Sequence, residues 1–146
     1  MKNENENNNS WQLGWYDDRR TVMNFRGHVG SWRTKLVGVN DYNHTTYGRD
    51  LVSMKVFNPT GDDVYIGFNR MVGINADTAE AGDLVTVHTK ERTVSGSLSY
   101  LVFSGTTDSS YTYKNFGNMG YDLTVHVNDI DTTNAVWRAD VTIKLE

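Results

Sequence analysis

Four histidines, His28, His44, His88 and His126, are the side chains of this sequence best suited to bind a metal or move a proton at neutral pH. No two of them lie within five residues of each other. A zinc peptidase of the helical type needs two His one helical turn apart with a Glu between them to activate water. Neither H-E-x-x-H nor its variant with Gln in first place occurs. His88 and His126 fall on the polar faces of strands, which predicts surface positions from which they could approach each other across a sheet. With no cysteine present, disulfides, thiolate metal sites and cysteine nucleophiles are excluded.

The remaining chemistry is thinner. Asp62-Asp63 and Asn128-Asp129-Ile130-Asp131 read as acidic turns that offer calcium part of its oxygen shell, although neither matches the twelve-residue loop with central Gly and terminal Glu. Asp and Asn are equally at home in turns through bonding to their own backbone. No Gly-x-Ser-x-Gly elbow is present, and Ser95-Gly96-Ser97 reads as a hairpin turn. Nothing singles out a glycosidase pair among the 18 acids. Asn8-Asn9-Ser10 and Asn43-His44-Thr45 match the short glycosylation acceptor pattern. Aromatic residues make up 12% of the chain. Trp11, Trp15, Tyr16, Trp32, Tyr42 and Tyr47 could form a flat sugar-binding platform, with Trp11, Tyr42 and Tyr47 as the candidate ligand-facing rings. The competing reading places Trp15, Trp32 and Trp137 in a core.

The elements that must position these residues are strands. Period-2 patterning predicts them over 31–39, 50–57, 64–69, 84–89, 97–103, 111–114, 121–127 and 137–145, with a short apolar-alternating piece over 21–25. Arg26 to Gly30 reads as a turn, and Asn58-Pro59-Thr60-Gly61-Asp62-Asp63 is a strong turn that makes 50–69 a β-hairpin. Only Asn75 to Gly82 could hold a helical turn, over 77–81. Turn signals recur about every 8–12 residues, which predicts an all-β chain folded as a single antiparallel β-sandwich of eight to nine short strands.

At 146 residues the chain has the length of one domain, read as a disordered Asn/Glu tail over 1–9 and a sandwich over 10–146. The net charge of −4 and pI near 5.5 imply no basic face, which argues against nucleic acid as a partner. No apolar run approaches 18 residues, so no helical membrane span is predicted. Met1-Lys2-Asn3-Glu4 lacks the apolar core of a signal peptide, so localisation is open; if the native protein is exported, this chain is expected to be a fragment or a processed form.

The run Ser10-Trp11-Gln12-Leu13-Gly14-Trp15-Tyr16-Asp17-Asp18-Arg19 resembles a segment of the gametolysin-type zinc metallopeptidases of green algae and diatoms. In that family a W-Q-L-G-W-Y run follows the zinc site and its Met-containing turn, and a β-rich region continues to the C-terminus. Further similarity lies in Trp32 to Gly38, Asp41-Tyr42, Tyr65 to Arg70 with Gly73-Ile74-Asn75, and Tyr111 to Phe116 with Gly120. The likeness spans about residues 10–145.

The family's zinc helix lies upstream of the matched run, where this chain has nine polar residues, and Asn7-Asn8-Asn9 stands in place of a Cys-Phe-Asn stretch. No zinc ligand or catalytic Glu of the family has a counterpart here. The resemblance therefore implies a non-catalytic module with no cofactor of its own, zinc belonging to the parent family. It implies as partners an upstream peptidase domain or a cell-wall glycoprotein, and an extracellular setting. Two alternatives stand beside it: a fragment of a complete zinc metalloendopeptidase, and a carbohydrate-binding sandwich. On the first reading the run is a seam: Leu13, Trp15 and Tyr16 are expected to pack onto the sandwich and Trp11 to stay partly exposed.

Overall fold

A computed structural model describes residues 20–38, 41, 50–70, 82–90 and 99–146. The expectations placed on Trp11, Leu13, Trp15, Tyr16, Tyr42, Tyr47, Ser95 to Ser97, the 1–9 tail and the 77–81 turn lie outside the described residues. Within them the chain is all-β. Nine strands form two sheets: β1 (Arg20–Met23), β2 (Gly30–Leu36), β3 (Ser53–Val56), β4 (Asp63–Asn69), β5 (Leu84–Lys90), β6 (Ser99–Gly105), β7 (Ser110–Tyr113), β8 (Leu123–Asp131) and β9 (Arg138–Leu145). The five-stranded sheet runs β1-β3-β4-β5-β6 and the four-stranded sheet β2-β9-β8-β7.

Strict alternation explains the four-stranded sheet. Leu123, Val125 and Val127 of β8 are buried beside Ala139, Val141, Ile143 and Leu145 of β9, because residues two apart along a strand share a face. Thr124, His126, Thr142 and Lys144 take the other face. The inward residues join Leu36 of β2, Met54 and Val56 of β3, Val64, Ile66 and Phe68 of β4, and Val85 and Val87 of β5 in one apolar core that both sheets share, a sandwich-like arrangement.

The five-stranded sheet obeys a different rule. Six successive residues of β4, Asp63 to Phe68, are buried, and so are Ser53, Thr86 and His88 on the face turned away from the shared core. This sheet is covered on both faces in its middle. His88, expected at the surface, is therefore only 3% exposed. It also belongs to the other sheet from His126, so the two histidines do not meet across a sheet.

Three further expectations are corrected. The pairing is not wholly antiparallel: β1 lies parallel to β3, Arg20 opposite Ser53 through Met23 opposite Val56. The chain leaves the five-stranded sheet after β1, adds β2 to the other sheet, and returns to run beside β1 in the same direction; parallel neighbours need such a crossover, and nothing in local patterning announces one. Asn128 to Asp131 are the end of β8 rather than a turn, because a bulge between Val127 and Asp129 lets the ladder continue with Asp129 opposite Asp140 and Asp131 opposite Arg138. Trp32 and Trp137 are partly buried against the core rather than filling it; its fully buried members are aliphatic except for Phe116.

The turns do follow from local chemistry. Asn58 Oδ1 accepts from the amides of Thr60 and Gly61, and Asp63 Oδ1 accepts from the amide of Asn58, which closes the hairpin between β3 and β4. Arg26 and Gly27 both have positive φ, 54° and 77°, and the amide of His28 donates to Phe25 O, the tight turn that Gly makes accessible between β1 and β2.

Phe116 is 1% exposed and packs edge-on to Tyr113 at 5.2 Å between ring centres. Truncating Phe116→Ala is expected to lower unfolding free energy by about 3–5 kcal/mol, the usual cost of emptying an aromatic core site. Denaturant titration monitored by tryptophan fluorescence checks this, and an unchanged midpoint would refute the core assignment.

Candidate functional site

The outward face of the four-stranded sheet gathers most of the exposed chemistry among the described residues. Ser110 on β7 stands directly opposite His126 on β8, with Ser110 Oγ 2.6 Å from His126 Nδ1. Next along the sheet, Asn128 donates to Thr142 Oγ1 at 2.8 Å and to Asp140 Oδ1 at 3.1 Å. Arg33 on β2 closes the row with two bonds to Asp140, Nε to Oδ1 at 2.8 Å and Nη2 to Oδ2 at 2.7 Å. Period 2 in four adjacent strands places these side chains together. The bidentate hydrogen bond from Arg33, and then the bond from Asn128, hold the Asp140 carboxyl below the ordinary carboxylate value, against the opposing effect of partial burial.

A serine hydroxyl on a histidine nitrogen is the opening geometry of nucleophilic catalysis, which also needs an acid to orient the base and donors for an oxyanion. Among the described residues no carboxylate bonds to the other nitrogen of His126, and the pair sits on an exposed sheet surface. The arrangement suits hydrogen bonding to a flat polar partner. It does not suit sugar stacking, because the residues facing outward with it (Ser31, Arg33, Lys35, Thr112, Thr124, Thr142 and Lys144) include no aromatic ring.

A second constellation lies buried near the ends of β2, β4 and β9. Arg70 Nη1 donates to Asp41 Oδ2 at 2.8 Å and to the carbonyl of Ala135 at 3.2 Å, and its guanidinium lies over the Trp137 ring at 4.3 Å. Arg70 Nε is buried without a hydrogen-bond partner, and the ring face supplies attraction without requiring one. Gly38 permits this approach, since a Cβ there would come within 2.8 Å of the Arg70 Cβ. Arg138 Nε donates to Asp50 Oδ2 at 3.0 Å nearby in the chain's return path. Asp41 and Asp50 are each 7% exposed, and buried carboxylates persist when paired and hydrogen-bonded.

The stretch Tyr111 to Gly120 is likewise architectural. Asn115 adopts a left-handed conformation (φ 50°), its side chain accepts from the amide of Gly120 at 2.8 Å, and its own amide donates to Asp122 Oδ1 at 3.0 Å. Gly120 has φ +78°, which a side chain rarely tolerates, and Phe116 enters the core. Two acids of the candidate calcium stretches have other partners: Asp63 pairs with Lys55 at 3.4 Å, and Asp131 accepts from the hydroxyl and amide of Thr133, which hold its carboxyl below the ordinary value. Among the described residues no three potential metal ligands come together.

Sequence reasoning did not single out Arg70, Asp50, Arg138 or the Ser110–His126 pair as sites. The only available signals were that Arg70 directly follows a strand uncharged after Asp63, and that Ser110 and His126 lie sixteen residues apart across a turn.

Two outcomes are expected. Arg70→Met, which strands the Asp41 carboxylate in a buried setting, is expected to destabilise by about 3 kcal/mol or more, whereas Asp41→Asn, which keeps an acceptor oxygen, is expected to cost less; chemical denaturation ranks the two. Because the Asp140 carboxyl is held below its unfolded value, its contribution is complete above about pH 4 and is lost as pH falls through the folded value. Asp140→Asn should therefore lower the melting temperature at pH 7 and flatten its decline between pH 4 and pH 2, and equal acid slopes in both proteins would contradict this.

No protein-family model matches the chain, and neither a characterised protein nor a solved structure is significantly similar to it.

Proposed function

We propose that this chain is a non-catalytic β-sandwich module, resembling the region downstream of the zinc site in gametolysin-type metallopeptidases, that supports a neighbouring peptidase domain or holds it on an extracellular-matrix glycoprotein. The observation that carries the reading is the use made of the residues that bear the resemblance. Gly38, Asp41, Phe68 and Arg70 meet in the buried ionic cluster and the core beside it, and Asn115, Phe116 and Gly120 shape one loop and plug the core. A likeness carried by such residues is a likeness of framework, and it survives without catalytic groups.

The polar row from Ser110 and His126 to Asp140 and Arg33 is the surface this module offers. It is wide and rich in hydrogen-bonding groups, with Arg33, Lys35 and Lys144 around Asp140, a polar face suited to a protein or glycoprotein. Zinc belongs to the parent family's catalytic domain, and the module's own residues have the task of docking.

The purified chain, incubated with a protein substrate and zinc, is expected to give no cleavage that a chelator suppresses; zinc-dependent, chelator-sensitive proteolysis would overturn the reading. The chain is also expected to be retained on immobilised cell-wall glycoprotein, and Arg33→Ala with His126→Ala is expected to weaken retention at least tenfold while leaving circular dichroism unchanged. Retention that ignores both substitutions would remove the polar row from the proposal.

A further inference from the structure

We propose that the flank between β6 and β7 is a carbohydrate site, in which one ring of a neutral sugar lies between Tyr100 and Tyr113 and donates a hydroxyl to Asp62. The site is distinct from the polar row on the outward face, and it does not depend on the peptidase reading. Strand register builds it. β5 pairs Val87 with Phe103 and Thr89 with Tyr100, and the register shift after Val87 takes up the odd spacing, so Phe103 and Tyr100 share the face turned toward the four-stranded sheet. On β7, Tyr111 lies opposite Val125 and Tyr113 opposite Leu123, both core residues, so both tyrosines face the five-stranded sheet. Phe103 and Tyr111 stack across the flank, 6.2 Å between ring centres. Tyr100 and Tyr113 lie beyond that stack, on the side away from the 106–109 connection between the two strands. The turn between β3 and β4 closes this end. Tyr113 Oη accepts from Asn58 Nδ2 at 3.4 Å, and a Cβ on Gly61 would come within 3.3 Å of the same oxygen.

The polar groups gathered here are uncommitted, and that points to a ligand. Among the described residues, no hydrogen bond or ion pair engages the Asp62 carboxylate or the hydroxyls of Tyr100 and Tyr111, and Tyr113 Oη accepts without donating. Tyr100 is 57% exposed and makes no ring contact among these residues, so its face is open. Asp62 stands near enough to act on its neighbours: burial and then its charge raise the Tyr113 hydroxyl above the ordinary tyrosine value, and burial, Tyr113 and then Asp62 raise that of Tyr111.

The chemistry of the ligand follows from this set. Aromatic faces take an apolar C–H surface. Three phenol protons and one carboxylate take a partner that both accepts and donates hydrogen bonds. A pyranose ring offers both, and a few convergent polar groups among aromatic walls are the usual makeup of a small-molecule site. β6 and β7 carry no charged residue, so an anion would find no cation on these strands and would meet Asp62. An organic cation would satisfy the carboxylate but leave the phenol protons without acceptors.

Saturation-transfer NMR of the full chain, with neutral mono- and oligosaccharides of glucose, galactose, mannose and xylose, tests this. Transfer to the C–H protons of at least one series is expected. Tyr100→Ala and, as an independent variant, Asp62→Asn are each expected to weaken that binding about tenfold or more, with an unchanged melting temperature. Arg33→Ala with His126→Ala is expected to bind the sugar as the parent chain does, so this site and the polar row stand or fall separately. Absence of transfer to every neutral sugar overturns the proposal. So does binding that survives both Tyr100→Ala and Asp62→Asn, binding of galacturonate oligomers as tight as that of galactose oligomers, or a preference for tetramethylammonium over the sugars.

Discussion

The two sheets are tied at one edge by a pair of backbone hydrogen bonds. The amide of Val37 donates to Leu51 O at 2.9 Å, and the amide of Leu51 donates to Lys35 O at 3.0 Å. Lys35 and Leu36 close β2 in the four-stranded sheet, and Leu51, bridged in parallel to Leu36, leads into β3 of the five-stranded sheet, so this short bridge marks where the chain passes from one layer to the other. Buried backbone groups must be paired, and here the pairing lies between layers. Leu36 and Val37, both fully buried, seal it from solvent.

The buried ion pairs follow from that junction. A chain crossing between layers brings Asp41 and Asp50 inside, and each finds an arginine, Arg70 at the end of β4 and Arg138 at the start of β9. An ion pair in such a place contributes little net stability against an apolar replacement, but it penalises alternatives that separate its members. Trp137 adds a face for the Arg70 guanidinium, which keeps a poorly hydrated cation in register with both layers. The opposite flank is held by a different means, the Phe103–Tyr111 and Tyr113–Phe116 ring contacts.

The two sheets differ in what they leave for function. The four-stranded sheet buries one face, so the other can hold the polar row from Ser110 to Arg33. The five-stranded sheet is covered on both faces over β4, and its chemistry, His88 included, is withdrawn from solvent. Among the described residues the exposed polar row therefore lies on the four-stranded sheet, and the exposed apolar residues of the five-stranded sheet collect at its edges, Val22 on β1 and Tyr100 and Val102 on β6.

Strand positions were legible wherever one face is buried and the other wet, because alternation with period 2 is then imposed residue by residue. β8 and β9 read directly from Leu123 to Val127 and from Trp137 to Leu145, and the Asn58 turn read from side chains that bond their own backbone. Pairing was not legible. Whether β1 lies beside β3, whether Asn128 bulges, and which strand faces His88 depend on how layers stack, and no local interaction encodes that. The candidate surface divides the same way. The polar type and outward direction of Arg33, His126 and Asp140 were properties of their own strands. That they align into one hydrogen-bonded row, and that Asp41 meets Arg70, was decided by tertiary structure, since residues 107 and 29 positions apart come together only when the sheets assemble.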